Sequence, residues 1–361
     1  MDYFLAAGTY GVVSSSDPPV ERRRSGGTAV AKWTGAVIAA TLLMAACGAE
    51  VVEDDRNAAL PVAEGVDQLA LTVRTTCIAL RDGEVRCRGE SQVAQVGRVT
   101  PMVDTWQSVF PENGGPTIVS HGQGLHVCAA FGTTVKCWGK NDARQVENSA
   151  TAVVKDPGQA KVLPERVNEL VTGVTSTCAL LTNGAVWCWG SNSRGQIGPN
   201  GGVASAVPVE VPVGAGVADI SSGRESVCVV TNGGRVICWG SDEMGILGDG
   251  PALTGSSQLR EVTGYRGARS IELGARHACS VASTFDVWCW GDNSSFQNGS
   301  GGFSGVYWVP TRAVRNAQVE YRQVAVADQS TCALTSTSEV WCWGYQPATG
   351  MFNYDGVIEP S

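Results

Sequence analysis

Cysteine is the residue type with the widest chemical reach in this chain, because a thiolate can act as a nucleophile, bind a metal, accept a lipid or form a disulfide. The 361 residues include 13 cysteines. So many thiols suit an oxidising compartment, since disulfides do not persist in a reducing cytosol. The odd number predicts that one cysteine has a role separate from the others.

Cys47 is the cysteine that stands apart. Basic residues precede an apolar run over residues 34–46, which is about 13 residues long and too short to span a membrane as a helix. Residues 43–47 read LMAAC, which resembles a bacterial lipobox. The resemblance implies cleavage before Cys47, removal of the signal region 1–46 and lipidation of Cys47 at the start of a linker, 47–59. An ordinary signal peptide with a cysteine near its cleavage site is the alternative.

The other twelve cysteines form six pairs, nine or ten residues apart. First members recur after 50 to 53 residues, and every pair ends in a variant of V-W-C-W-G, so the chain is built from repeats. The pairs are Cys77 with Cys87, Cys128 with Cys137, Cys178 with Cys188, Cys228 with Cys238, Cys279 with Cys289, and Cys332 with Cys342.

The spacing within each pair is that of a β-hairpin. Asn-Gly lies between Cys178 and Cys188, and a three-residue loop at 182–184 sets the two cysteines opposite each other. A two-residue loop does the same for the shorter pair, Cys128 and Cys137. Opposite residues at a non-hydrogen-bonded position have Cα atoms about 4.5 Å apart, within the reach of a disulfide. We therefore predict six disulfides, one in each hairpin, rather than zinc sites, which use shorter cysteine spacings.

Two further strand signals precede each hairpin, as at residues 208–211 and 217–221 before Cys228. Four short strands in about 50 residues make one blade of a β-propeller. With 45 glycines the chain is too glycine-rich for a helical bundle. The predicted fold is an all-β propeller over residues 60–361, with four antiparallel strands per blade and six blades. Seven blades is the alternative if the termini build one, and residues 357–359 are a candidate strand for closing the ring.

Tryptophans alternate with the cysteines in the repeats. Neighbouring side chains of a strand point to opposite faces, so Cys188 lies on one face and both Trp187 and Trp189 lie on the other. Because blades stack face to face, we expect the tryptophan side of one blade to pack on the disulfide side of the next; a ligand-binding aromatic cage is the alternative. The tryptophans assigned to this inter-blade core are Trp138, Trp187, Trp189, Trp239, Trp288, Trp290, Trp341 and Trp343.

The most complete repeat reads GVTSTCALLTNGAVWCWGSNSRGQIG over residues 173–198 and resembles a repeat of the RCC1 (regulator of chromosome condensation) family. The other five units match it in part. The resemblance implies a β-propeller, usually of seven blades. The family includes a nuclear exchange factor for a small GTPase and secreted bacterial binding proteins. The paired cysteines favour a secreted bacterial lipoprotein branch.

Few other side chains could form an active site. The histidines are His121, His126 and His277, of which the last two occupy repeat positions that favour a structural role. Metalloprotease, serine-hydrolase and phosphate-loop motifs do not occur in the sequence. An acidic turn with Asp242 and Asp249 lacks the spacing of a calcium-binding EF-hand loop. The sequence therefore predicts a non-enzymatic protein without a metal or other cofactor.

The longest polar connection between repeats, residues 140–161, is the candidate binding loop. Polar loops held together on a rigid ring suit protein recognition, and a plain solvated loop is the alternative. The charged residues assigned to binding are Asp142, Arg144, Glu147, Lys155 and Asp156.

The net charge of −8 argues against a nucleic-acid-binding surface. We predict a monomeric scaffold of the bacterial cell envelope that faces outside the cytoplasm, is held to the membrane by its N-terminal lipid, and binds an unknown protein or cell-envelope component. One alternative is an enzyme with an acidic, metal-dependent site at the central channel. The other is a regulator that resembles a guanine-nucleotide exchange factor. A secreted protein would not meet a cytosolic GTPase, which argues against this alternative.

Overall fold

The computed structural model describes residues 66–353, apart from residues 74, 111–117, 215, 252–255, 303, 314–318 and 347–350. The signal region 1–46, the linker with Cys47 and the candidate closing strand at 357–359 lie outside the described residues. The described residues form strands and one short 3₁₀ turn, Glu243–Gly245. No helix among them is long and apolar enough to cross a membrane.

The strands form six sheets that follow one another along the chain, and these are the blades of the predicted six-bladed, all-β propeller. Blade 1 contains β1 (Val66–Thr72), β2 (Thr75–Leu80), β3 (Val85–Ser91) and β4 (Thr100–Phe110). Blade 2 contains β5 (Ile118–Val119), β7 (His126–Phe131), β8 (Thr134–Lys140), β9 (Val153–Val154) and β10 (Lys161–Val162), and β6 (His121–Gly122) lies between β5 and β7 in sequence. Blade 3 contains β11 (Val167–Thr172), β12 (Ser176–Leu181), β13 (Val186–Ser191) and β14 (Ala204–Val211).

The remaining blades repeat this order. Blade 4 contains β15 (Val217–Ser222), β16 (Ser226–Thr231), β17 (Val236–Gly240) and β18 (Ser256–Glu261). Blade 5 contains β19 (Ala268–Leu273), β20 (His277–Ala282), β21 (Val287–Asp292) and β22 (Val306–Arg312). Blade 6 contains β23 (Tyr321–Val326), β24 (Ser330–Thr335), β25 (Val340–Gln346) and β26 (Met351–Asn353).

Blades 2 and 3 depart slightly from the four-stranded pattern. The outer edge of blade 2 is divided between β9 and β10, both of which pair with β8. Strand β6 leaves blade 2 and pairs in parallel with β11, so that His121 lies beside Val171. The chain between β5 and β7 therefore joins the two blades near the axis of the ring.

The first strand of each blade is the innermost one, and first strands of successive blades pack against each other from β1 to β23. The strand signal at 208–211 falls in β14, which pairs with β13. The first of the two strands that precede a hairpin therefore belongs to the preceding blade. The reason is the short connection at 192–203, which returns the chain antiparallel to β13.

The predicted disulfides are confirmed. All six pairs are joined, lie directly opposite each other in their hairpins and have Cα atoms 4.0–4.1 Å apart. The bonded pairs are Cys77 with Cys87, Cys128 with Cys137, Cys178 with Cys188, Cys228 with Cys238, Cys279 with Cys289, and Cys332 with Cys342.

The loop lengths also agree with the sequence prediction. Leu181 N donates to Ala185 O at 2.9 Å across the loop between Cys178 and Cys188, and Phe131 pairs with Thr134 in the shorter hairpin. Each disulfide thus fastens the two middle strands of one blade, a local crosslink that restricts the unfolded chain.

Candidate functional site

In five of the six blades a tryptophan follows the second cysteine, and this tryptophan joins its blade to the preceding one. Five such indoles are completely buried, and each Nε1 donates a hydrogen bond to a main-chain oxygen of the preceding blade at 2.8–3.1 Å. The pairs are Trp138 with Gln95, Trp189 with Gln145, Trp239 with Gln196, Trp290 with Ile246, and Trp343 with Gln297. Buried indoles need such an acceptor, so these residues align the blades as well as filling space.

The tryptophans that precede the second cysteine lie on the same face but are only partly buried. Trp187, Trp288 and Trp341 pack at the margins of the same apolar clusters as their neighbours. Within the described part of the chain, the Nε1 atoms of Trp187 and Trp341 have no hydrogen-bond partner. The eight predicted core tryptophans therefore divide into five that bond across the blade boundary and three that only pack there.

Polar side chains in the loop after each W-G hold the acceptor in place. In blade 3, Asn192 Oδ1 accepts from Ile197 N at 2.9 Å and Gln196 Oε1 accepts from Arg194 N at 2.8 Å. Gly195 has φ of 84° between these contacts, a backbone conformation that glycine adopts without strain. The loop is thereby folded so that its Gln196 carbonyl points at Trp239.

His126 and His277 are buried, structural residues. His277 Nε2 lies 2.8 Å from Thr331 Oγ1, and that hydroxyl is placed to donate to Gln297 O, also at 2.8 Å. Because the hydroxyl donates its proton to the carbonyl, Nε2 of His277 carries a proton and donates to Thr331 Oγ1. Burial lowers the pKa of His126 and of His277 to about 3.

The candidate binding loop is tightly fixed to the propeller. Asn141 Oδ1 accepts from Val146 N at 3.0 Å, Val146 is completely buried, and Glu147 Oε2 accepts from Gln159 N at 3.2 Å. Lys161 is buried and its Nζ donates to Val146 O, while burial lowers its pKa to about 8. The loop is therefore a structural part of blades 2 and 3 rather than a free insertion.

The charged candidates lie on the outside of this fixed backbone. Asp142, Arg144, Lys155 and Asp156 are exposed and Glu147 is half-buried. Asp142 Oδ2 lies 2.9 Å from Lys140 Nζ. Arg144 has φ of 61°, at the loop position that Gly195 and Gly245 occupy in blades 3 and 4. Ala94 of blade 1 and Phe296 of blade 5 also have positive φ at this position, so a left-handed backbone is common to these loops. In blade 2 this conformation, which costs energy for a residue other than glycine, holds a long charged side chain.

A second group of titratable side chains meets near the axis of the ring. His121, Glu169, Asp219 and Glu272 come from four consecutive repeats, in β6, β11, β15 and β19, and we call them the channel cluster. His121 Nε2 lies 3.1 Å from Glu169 Oε1, and about a quarter of each side chain is exposed. Glu272 Oε2 accepts from Ser221 Oγ at 3.4 Å.

The pKa values of His121 and Glu272 in the channel cluster are both raised. Burial disfavours the charged imidazole of His121, but the hydrogen bond and charge of Glu169, with the charges of Glu272 and Asp219, outweigh it and raise the pKa to about 9. Burial raises the pKa of Glu272 to about 7, against the opposing charge of His121. Sequence reasoning identified only His121 of these four. The three carboxylates are far apart in sequence, and their common location on the innermost strands of their blades was the available signal.

The acidic turn of blade 4 is a third cluster. Asp242 Oδ1 accepts from Leu247 N at 3.1 Å, and Asp249 Oδ2 lies 3.1 Å from Arg260 Nη1. Among the described residues, Asp242 Oδ2 and Asp249 Oδ1 are buried without a partner. Burial, together with the charge of Asp249, raises the pKa of Asp242 to about 6. No group of three or more metal-ligating side chains is gathered here or elsewhere in the described chain.

Comparison with known protein families decides the identity of the repeats. A model of the regulator of chromosome condensation (RCC1) repeat matches residues 167–196 and 217–246, and a second model of this repeat matches residues 183–230. The chain therefore contains RCC1 repeats. The matches coincide with blades 3 and 4 of this RCC1-repeat propeller, where the loop after W-G carries two glycines, Gly195 and Gly198 in blade 3 and Gly245 and Gly248 in blade 4.

Solved structures of RCC1-like proteins share the fold. Human WBSCR16 superposes with a TM-score of 0.69 at 17% identity, covering 82% of this chain and 81% of that chain. Prp20p of Saccharomyces cerevisiae gives a TM-score of 0.64 at 20% identity, with 76% and 69% covered. The same yeast protein bound to Kap60 gives 0.65 at 19% identity, with 76% and 67% covered.

Proposed function

We propose that this RCC1-repeat propeller is a non-catalytic, lipid-anchored scaffold that binds a protein or another component of the cell envelope outside the cytoplasm. The observation that carries the binding role is Arg144, an exposed cation held at φ of 61° on a loop fixed to two blades. Strained, exposed residues on rigid loops are concentrated at functional sites. The loop presents charges of both signs, which suits a polar protein surface.

The proposed location rests on cysteine chemistry. Six disulfides are typical of proteins that fold in an oxidising compartment. Cys47 is the one cysteine outside the six pairs, and it ends a segment, residues 43–47, that resembles a lipobox. Two or three acyl chains on that residue give stable membrane attachment, where a single chain is marginal.

Protein binding is also a property of RCC1-like relatives. Prp20p has described binding to Gsp1p and histones, and Kap60 binds the same protein in a crystal structure. Binding of a protein partner therefore has precedent among proteins with this fold. The partner proposed here is different, because a protein outside the cytoplasm does not meet a cytosolic GTPase.

The binding role is tested by exchanging Arg144 for the glycine that blades 3 and 4 carry at this loop position. Arg144→Gly relieves the backbone strain, so the variant is expected to fold at least as stably as the wild type while losing affinity for its partner. The readout is affinity capture from solubilised cell envelopes with quantitative mass spectrometry. Arg166→Ala, another exposed arginine, is the control and is expected to capture normally. Equal capture by Arg144→Gly and the wild type would contradict the proposal.

The anchor is tested separately by mass spectrometry of the membrane fraction. A peptide beginning at lipidated Cys47 is expected, and Cys47→Ala should move the protein out of that fraction. An unmodified Cys47 peptide from membrane-associated protein would overturn the anchor. The binding role would stand, because it depends on a different residue.

A catalytic role of the channel cluster is the second candidate function. It is supported by the pairing of His121 with Glu169 beside Glu272, whose pKa is raised to about 7, since an acid and a base with shifted pKa values are what proton-transfer catalysis requires. The test is a hydrolase panel on the purified mature protein and on Glu272→Gln. Turnover by the wild type that falls in Glu272→Gln would support catalysis, and no turnover by either protein would count against it.

A further inference from the structure

Five of the six disulfides are covered by a tryptophan of the next blade. Each apolar cluster at a blade boundary contains both cysteines of one blade and the buried tryptophan that follows the second cysteine of the next blade. These disulfides are closed between two layers of packed side chains. Trp138 covers Cys77 and Cys87, Trp189 covers Cys128 and Cys137, Trp239 covers Cys178 and Cys188, Trp290 covers Cys228 and Cys238, and Trp343 covers Cys279 and Cys289.

The disulfide of blade 6 is different. Its cluster contains Cys332, Cys342 and three partly buried residues, Ala325, Leu334 and Val340, all from blade 6. No described residue of another blade belongs to this cluster. Cys342 retains 5% exposure, whereas each of the other eleven paired cysteines retains 1% or less.

The sequence of blade 1 accounts for the difference. Blade 1 follows blade 6 around the ring, and it carries Arg88 where every other blade carries the covering tryptophan. The Arg88 guanidinium carbon lies 4.9 Å from the ring centre of Trp106 in β4 of its own blade. Its cation–π contact therefore holds this side chain within blade 1, and the described part of blade 1 places no indole at the covering position.

We propose that Cys332–Cys342 is a redox site, the one disulfide that dithiol reductants open while the propeller remains folded. A thiolate of the reductant attacks the Sγ of Cys342, the more exposed cysteine of the pair, and Cys332 leaves as a thiolate. The second thiolate of the reductant then attacks the mixed disulfide, releases Cys342 and closes the reductant into its own disulfide. Two electrons pass to the protein, and the two cysteine thiolates take up protons from water. The chemical class of the partner is a dithiol, either a small molecule or a protein with two adjacent thiols.

The site lies between the last and first blades, so its reduction has a structural consequence. The other boundaries hold a buried indole, a hydrogen bond to a main-chain oxygen and a shared apolar cluster. Among the described residues the blade 6–blade 1 boundary has no such indole and no such shared cluster, and opening the crosslink of blade 6 also removes its hairpin crosslink. The proposal therefore makes the blade 6–blade 1 boundary the point at which the redox state of the surroundings changes the propeller.

The test is stepwise reduction of the folded, full mature protein with dithiothreitol, followed by alkylation and peptide mass spectrometry. Cys332 and Cys342 are expected to be alkylated at least about tenfold faster than Cys279 and Cys289, a matched pair covered by Trp343. Simultaneous reduction of all six pairs, or earlier reduction of another pair, would overturn the proposal. The variant Arg88→Trp tests the cause. It is expected to slow alkylation of Cys332 and Cys342 severalfold, and an unchanged rate would contradict the role assigned to the missing indole.

Discussion

The indole Nε1 of Trp239 donates a hydrogen bond to the main-chain oxygen of Gln196 across the boundary between blades 4 and 3, at 3.1 Å. Both ends of this bond are set by local sequence. Trp239 follows Cys238, which is disulfide-bonded, and the Gln196 loop is folded by its own side-chain contacts. Because the same bond occurs at five blade boundaries, each of these blades is oriented by the loop of the blade before it.

Removing the bond while keeping an aromatic ring should destabilise the propeller. Trp239→Phe leaves the buried carbonyl of Gln196 without its indole donor and adds a small cavity, so we expect the free energy of unfolding to fall by about 1–3 kcal/mol. Trp187→Phe is the control, because the Nε1 of Trp187 has no partner among the described residues, and it should cost less. Denaturant unfolding measures both. Equal losses would show that the hydrogen bond does not align the blades.

Asp242 gives a prediction with a defined pH window. In blade 3 the equivalent Asn192 donates from Nδ2 to Gly198 O and Gly202 O at 3.1 and 2.7 Å, whereas Asp242 Oδ2 has no partner in the described part of the chain. The folded pKa of about 6 lies above the ordinary 3.8, so the group favours folding when protonated and that contribution is lost as pH rises through 6.

The substitution Asp242→Asn should therefore raise the melting temperature at pH 8 and have little effect at pH 4. The gain at pH 8 corresponds to at most about 3 kcal/mol. Thermal unfolding followed by circular dichroism at both pH values is the measurement. Asn192→Asp, the reverse exchange in blade 3, should lose stability mainly at pH 8. A pH-independent effect of Asp242→Asn would contradict the assigned pKa.

The two buried histidines predict the opposite trend in acid. Their pKa in the folded protein, about 3, lies below the ordinary 6.5, so folding favours the neutral imidazoles. The free energy of unfolding is therefore unaffected by these residues above pH 6.5 and decreases as the pH falls toward 3. The double variant with His126→Ser and His277→Ser, which copies Ser176 and Ser226, should lose less stability between pH 7 and pH 4 than the wild type does. It should be less stable than the wild type at pH 7 because of the cavities. An unchanged acid slope would rule out neutral buried imidazoles.

The local parts of this fold were predictable from the sequence. Opposite positions in a hairpin follow from loop length, so the pairing of Cys178 with Cys188 required no knowledge of other blades. The period of two also placed Trp187 and Trp189 on one face. It could not distinguish their roles, because the carbonyl that Trp189 reaches belongs to Gln145, 44 residues earlier in the chain.

The channel cluster could not be predicted from the sequence, because its residues come from different blades. His121 and Glu169 are 48 residues apart and meet only because β6 pairs with β11 in the neighbouring blade. The uncovered disulfide at Cys332 has the same origin. A covering tryptophan would have to come from the next blade, and blade 1, which has Arg88 at that position, becomes the next blade only when the repeats form a ring.

The binding role proposed for the loop around Arg144 requires contact with a protein partner outside the cytoplasm. Its most direct test is a photo-cross-linking amino acid at position 144 in the membrane-attached protein, activated on intact cells. One discrete protein adduct is expected from position 144, and no such adduct is expected from position 168, an exposed control site on β11. Absence of any adduct from position 144, or the same adducts from both positions, would contradict it.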